Sequence, residues 1–195
     1  MFNLFSLREL GFIVLFFLQG AAIIFLAIRC RKYRLLSDRD GLTGLLNHRA
    51  VENSSKAKIS AVKRYKNYSL YFLFIDVDNF GKVNKEKGHQ AGNHLLKGIA
   101  GIIEDSIRKS DIPGRWGGDE FLLILSEINL LGAKAAAKKI IDAVDGLSQK
   151  NNLGIGASIG ISEFNSDSTH DPISAANKAM LEAKKAGKNR YQVHS

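Results

Sequence analysis

The feature that most restricts this chain is a run of 18 residues, Gly11 to Ile28, with one polar member, Gln19. A helix rising about 1.5 Å per residue carries such a run across about 27 Å, close to the hydrocarbon thickness of a bilayer. A helix packed on a soluble core shows a polar stripe at helical spacing, and this run shows none. A cleaved signal peptide needs a basic start and a small-residue cleavage site. Here the start holds Arg8 beside Glu9, and Cys30 follows Arg29 where a lipoprotein has a small residue. The basic residues come after the run, at Arg29, Arg31, Lys32 and Arg34, and such residues stay on the cytoplasmic side. The expectation is an uncleaved transmembrane anchor over residues 1–30, a juxtamembrane linker over 31–39 and a cytoplasmic domain over 40–195. Ten residues precede Gly11, so no external sensor domain is expected.

Lys and Arg number 28 against 19 Asp and Glu, a formal charge of +9. That balance suits nucleic acid or an anionic lipid surface. Part of it is the cluster after the apolar run, and part is Lys56, Lys58, Lys63, Arg64 and Lys66 in one surface helix. With a span in the same chain, the lipid bilayer is the preferred partner and no nucleic acid is expected. A single cysteine excludes an intramolecular disulfide framework and the CxxC pairs of a structural zinc site. None of the five histidines forms HExxH.

Beyond residue 40 the apolar pattern alternates between short runs and helical spacing. Residues 48–67 read as a weakly amphipathic helix. Leu70 to Val77 is a buried strand. Leu95, Leu96, Ile99, Ile102, Ile103 and Ile107 mark a helix over Gly92 to Lys109. Phe121 to Leu125 and Ile155 to Ser162 are further strands. Ala136, Ala137, Ile140, Ile141, Val144 and Leu147 mark a helix between them. Pro172 opens the last helix and Gly187 closes it. The fold class is one α/β sandwich with a mostly antiparallel sheet flanked by helices.

Acids stand where strands end. Asp76 and Asp78 are two apart on one strand, so they face the same way. Gly117 and Gly118 form a tight turn before Asp119, Glu120 and the next strand. If the two strands are neighbours, Asp76 and Asp119 converge. Converging carboxylates suit Mg²⁺, which prefers oxygen and is usually held by one or two carboxylates plus substrate phosphates. Gly117 and Gly118 let a phosphate approach the backbone. Lys184 and Lys188 supply point charges for a triphosphate. Taken singly, each group also reads as solvated surface.

Together these residues resemble the GGDEF family, the diguanylate cyclases. Gly117-Gly118-Asp119-Glu120-Phe121 is the family signature, Asp40 to Asn47 (DGLTGLLN) resembles its opening motif, and Phe74 to Phe80 (FIDVDNF) resembles its FxDxDxF segment. Asn84, Gly88-His89, Gly92, Arg115-Trp116, Ser158 to Ile161, Ala183-Lys184, Gly187 and Asn189 follow in order, so the resemblance covers residues 40–190. It implies the palm-like sandwich of nucleotidyl cyclases and the joining of two GTP molecules into cyclic di-GMP across a homodimer. It implies Mg²⁺ or Mn²⁺ held by Asp76, Asp119 and the Val77 carbonyl, with Glu120 assisting the metal or deprotonating the 3′-hydroxyl. Asn79 and Phe80 amides, with Gly117, Gly118, Lys184 and Lys188, would hold phosphate, and Asn84 and Asn93 the base. Arg108 and Asp111 match the family's RxxD site for cyclic di-GMP as a feedback ligand. With the anchor, the location implied is a bacterial inner membrane, single-pass.

The chain departs from the family at several positions. Gly81 stands where a phosphate-touching lysine is usual, Lys188 replaces an arginine, and Asn177 and Leu181 replace an Asp and a Tyr. Asn93 replaces an aspartate that reads guanine. A carboxylate only accepts, whereas an amide presents one acceptor and one donor face. The alternatives are therefore a cyclase of relaxed base choice or a catalytically inactive receptor for cyclic di-GMP.

Overall fold

The computed structural model describes residues 7–65 and 69–194; within its first helix the side chains of residues 7–10, 27 and 30–37 lie outside the described set. The chain divides into two units, Met1–Asp38 and Arg39–Ser195.

The first unit contains α1 (Leu7–Ser37). Its large apolar side chains stay exposed, Phe12 at 71%, Phe16 at 73% and Phe17 at 69%. Among the described residues no helix is long and apolar enough to cross a membrane. The span expected at Gly11 to Ile28 includes Ala27, which is outside the described side chains, as are Cys30, Arg31, Lys32 and Arg34.

The second unit runs α2 (His48–Tyr65), β1 (Leu70–Asp78), α3 (Phe80–Ser106), β2 (Ile112–Gly117), β3 (Glu120–Ser126), α4 (Leu130–Asn151), β4 (Gly156–Phe164), α5 (Pro172–Lys185) and β5 (Arg190–Val193). The strands form one sheet in the order β2-β3-β1-β4-β5. All neighbours pair antiparallel except β4 and β5, which are parallel. The sheet is thus the mostly antiparallel one expected, made mixed by β5. Four residues of alternating exposure give β5 too little apolar signal to be read in sequence.

β1 is the middle strand and every residue of it is buried. Its odd-numbered side chains, Tyr71, Leu73, Ile75 and Val77, share a core with α3 and α4. Its even-numbered ones, Leu70, Phe72 and Phe74, share a second core with α2 and α5. A strand covered on both faces reads as a continuous apolar run, which is why LYFLFIDV showed no alternation.

α3 differs most from expectation. It begins at Phe80, twelve residues before the expected Gly92 (80 against 92), and is two helices joined at Gly88, whose backbone is non-helical at φ 82° and ψ 162°. Glycine tolerates that conformation at little cost. The first piece, before Gly88, buries little beyond Val83, so its periodicity was too short to read. The expected helix over 48–67 ends at Tyr65, and residues 66–68 lie outside the described set.

α5 touches the sheet at Gly160 of β4. A Cβ there would collide with the backbone of Ala176, Ala179 and Met180. The close approach aims the end of α5 at the end of β1. Gly160→Ala is expected to cost about 1–3 kcal/mol through overpacking against backbone. Gly146→Ala, on the exposed side of α4 with open space around it, is expected to gain about 0.5–1 kcal/mol. Urea unfolding of the two variants checks the pair.

Candidate active site

The ends of β1 and β3 bring the acids together. Asp76 pairs with Glu120 across the strands, which puts the two side chains on one face, and the Val77 amide donates to the Asp119 carbonyl at 3.2 Å. Asp76 is 7% exposed. Burial pushes its carboxyl up, Lys184 pulls it down, and the Asp119 and Asp78 charges push it up again; the net direction is upward. Glu120 is also raised, by burial first and then by Asp76 and Asp119, with Lys184 opposing. Like charges facing each other across a sheet are destabilising, so this end of the sheet stores repulsion that a cation relieves.

Lys184, in the last turn of α5, supplies one cation: its Nζ lies 2.7 Å from Asp76 Oδ2. Among the described residues no group of three or more His, Cys, Asp or Glu is placed to hold a metal by itself. The oxygen donors and their repulsion fit a hard dication of the Mg²⁺ kind, which completes its shell with water and substrate phosphate.

Asp78 faces the same way as Asp76, as the strand alternation requires, but does other work. Its buried carboxylate accepts from Ser158 Oγ at 2.8 and 2.9 Å and from the Asn189 amide at 3.0 Å. It thereby holds the turn after α5, where Lys188 and Asn189 have positive φ. Lys188 Nζ reaches Asn79 Oδ1 at 2.9 Å, and Asn79 Nδ2 donates to the Gly154 carbonyl at 3.0 Å. Asn79 sits at the start of α3 with φ 63° and makes no side-chain cap. The amides of Asn79 and Phe80 therefore stand at a helix N-terminus, where backbone N–H groups favour an anion.

The opening motif proves to be a brace. Asp40 accepts from the Thr43 amide and hydroxyl at 2.8 and 2.7 Å. It also accepts from Arg115 Nη1 at 3.1 Å. Burial pushes the Asp40 carboxyl up, but Thr43 and Arg115 outweigh it and hold it below its usual value. Arg115 in turn donates through Nε and Nη2 to the Gly118 carbonyl at 3.0 and 2.6 Å. Gly118 has φ 30°, so the turn carrying Asp119 is clamped from outside. No local pattern joins Asp40 to Arg115, 75 residues apart.

Asn84 lies on the first piece of α3 and, among the described residues, its Oδ1 is buried without a hydrogen-bond partner. Gly92, on the second piece, leaves the space it occupies, since a Cβ at Gly92 would meet the Asn84 side chain. Buried polar atoms are rarely left unpaired, which sets this oxygen apart from the other buried polar groups described. Asn93, the next residue along, is exposed.

Arg108 and Asp111 lie away from this end, in the turn before β2. Asp111 is committed to the turn: its carboxylate accepts from the Arg108 amide at 2.9 Å and the Ser126 amide at 3.2 Å. Arg108 is exposed and borders two cavities. One of about 300 Å³ lies toward α4 and Lys139, and one of about 290 Å³ lies toward Arg39 and Glu104.

The chain belongs to the family described as diguanylate cyclase, GGDEF domain, which matches residues 37–190. Its relatives include the probable diguanylate cyclase DgcC of Escherichia coli, 31% identical over 172 residues, covering 86% of this chain and 46% of that protein. Diguanylate cyclase DgcS of Shewanella oneidensis is 32% identical over 155 residues, covering 79% of this chain and 52% of that one. The chain thus spans about half the length of the curated relatives it matches. Diguanylate cyclase SiaD of Pseudomonas aeruginosa, solved with its activator SiaC, superposes with a TM-score of 0.74 at 30% identity, over 96% of this chain and 71% of that one. The coiled coil and GGDEF domain of DgcB from Caulobacter crescentus, in complex with c-di-GMP, gives 0.78 at 21% identity, over 90% of this chain and 95% of that one, and speaks to fold alone.

Glu120 provides a direct test of the stored repulsion. A carboxyl raised on folding binds protons more readily in the folded state than in the unfolded one. Its penalty is absent below the unfolded value near 4.5 and fully present above the raised value. Glu120→Gln is expected to raise the melting temperature of the metal-free protein at pH 7 and to leave it unchanged at pH 4. Thermal unfolding at the two pH values reads both.

Proposed function

We propose that this chain is a membrane-anchored diguanylate cyclase that condenses two GTP into cyclic di-GMP and two pyrophosphates. The observation that carries the reading is the convergence of buried Asp76 with Asp119 and Glu120 beside Lys184 and the uncapped start of α3. Asp76, Asp119 and the Val77 carbonyl would hold Mg²⁺ or Mn²⁺, which when bound neutralises phosphate charge and polarises the α-phosphate. The amides of Asn79 and Phe80, with the open backbone at Gly117 and Gly118, receive phosphate. Lys184 and Lys188 flank it as point charges. Glu120, its carboxyl raised by burial and by the Asp76 and Asp119 charges, would accept the 3′-hydroxyl proton or help hold the metal. Asn84 offers its unpaired oxygen to the N–H edge of the base, with Asn93 beside it.

One nucleotide per subunit cannot cyclise alone, so the acting unit is a homodimer with two sites facing each other. Cyclic di-GMP acts as the feedback ligand at exposed Arg108, while Asp111 keeps the turn in shape. Arginine's planar fork suits both phosphate and a guanine face. The anchor rests on the apolar run and the basic cluster after it, and on exposed Phe12, Phe16 and Phe17 of α1, which an apolar medium would cover. On this reading the catalytic domain lies in the cytoplasm at a bacterial inner membrane.

The test is incubation of the full chain with Mg²⁺ and GTP, ATP or both, reading the cyclic products. Asp119→Asn is expected to lower product formation at least about a hundredfold, since it removes a ligand rather than core packing. In the same assay Asn93→Asp is expected to sharpen preference for GTP over ATP by about five- to a hundredfold, the worth of one misplaced hydrogen bond. Near-normal turnover by folded Asp119→Asn rejects the metal assignment. Equal selectivity in the Asn93 pair shows that this residue does not read the base. For the anchor, the full chain is expected in the pellet after an alkaline carbonate wash of membranes; release into the supernatant argues for a peripheral chain.

A further inference from the structure

Among the described residues, Lys184 and Asp76 form an ion pair at the acidic end of the sheet, and its geometry has an energetic consequence. Asp76 is 9% exposed in its side chain and Lys184 is 31% exposed. A buried carboxylate is costly unless something neutralises it, and here α5 supplies the neutralising charge. The backbone beneath Lys184 is fixed. The Ala186 amide donates to the Glu182 carbonyl at 2.9 Å, the Gly187 amide to that of Lys184 at 3.3 Å, and the Lys188 amide to that of Ala183 at 3.1 Å. The side chain is not: a flexible four-carbon stem ends in a head that borders solvent. The ammonium can therefore leave Asp76 while α5 stays in place.

An ammonium in contact with Asp76 Oδ2 and a dication bound to the same carboxylate would repel each other at close range. Resting on the metal reading above, we infer that Lys184 is an exchangeable counter-ion. It occupies Asp76 until a triphosphate draws it away, so that divalent metal and nucleotide enter together and free metal is kept out. Linkage makes the effect reciprocal: whatever the lysine costs free metal, the nucleotide restores when it captures the lysine. Lys188 is not equivalent, because its ammonium rests on a neutral amide oxygen of Asn79 and leaves the Asp76 pair untouched.

The experiment uses the full chain in detergent micelles with Mn²⁺ as the probe and no nucleotide, reading affinity by titration calorimetry. Lys184→Met is expected to bind Mn²⁺ at least about tenfold more tightly than wild type, since it removes a positive charge from the first contact of Asp76. Lys184→Arg keeps the charge and is expected to bind like wild type. Lys188→Met is expected to stay within about threefold of wild type, its charge being solvated and screened. Lys184→Gln serves as the neutral arm should the methionine variant misfold. Equal or weaker binding by the neutral variants, or no binding by any protein, overturns the exchange. Product formation by wild type is read separately. A wild type that makes no product while the variants keep this order overturns the cyclase reading and supports the exchange.

Discussion

The structure depends on what the central strand is asked to do. β1 is paired with β3 and β4 on its two edges, and every one of its residues is buried. Yet two of its last three residues are acids. Leu70, Phe72 and Phe74 point into the core shared with α5, and the same face continues into Asp76 and Asp78. The hydrophobic stretch keeps the strand from moving, so the carboxylates cannot drift apart to relieve their repulsion. Rigidity and electrostatic tension thus come from one strand.

The rest of the site is arranged to compensate that tension without abolishing it. Asp78 is satisfied completely by neutral donors, Ser158 Oγ and the Asn189 amide, and becomes a structural tie. Among the described residues, Asp76 is compensated by one flexible lysine. Asp119 sits on a turn held from outside by Arg115 through the Gly118 carbonyl. A hydrogen-bonded buried carboxylate is locked, whereas one balanced by a mobile ammonium can change partner. Two acids two residues apart on one strand therefore play opposite parts, and the neighbouring element decides which is which.

α5 is the element that makes this difference. Its approach at Gly160 is backbone to backbone, and its last turn delivers Lys184 to Asp76 while the following turn delivers Lys188 to Asn79 and the Asn189 amide to Asp78. A shift of that helix would change three contacts at once. Small-residue packing of α5 on β4 thus helps set the electrostatics of the site.

Much of this was legible in the residues themselves. The strand LYFLFIDV, the helices marked by Leu95 to Ile107 and Ala136 to Leu147, and a tight turn at the glycine pair follow from local apolar pattern and local turn chemistry, which a chain displays in order along its length; the turn itself falls one residue later than expected, at Gly118 and Asp119, with Gly117 ending β2. The family was legible for the same reason, its motifs being short and contiguous. The first piece of α3 and strand β5 were not, because eight and four residues bury too little for periodicity to register. Nor was the brace from Asp40 to Arg115, the tie from Asp78 to Asn189, or the buried unpaired oxygen of Asn84. These are contacts between residues far apart in sequence, and only the packing of the sheet against its helices brings them within hydrogen-bond distance. The sequence by itself determined which groups are available; tertiary structure decided which carboxylate is locked, which is poised, and which cation stands beside it.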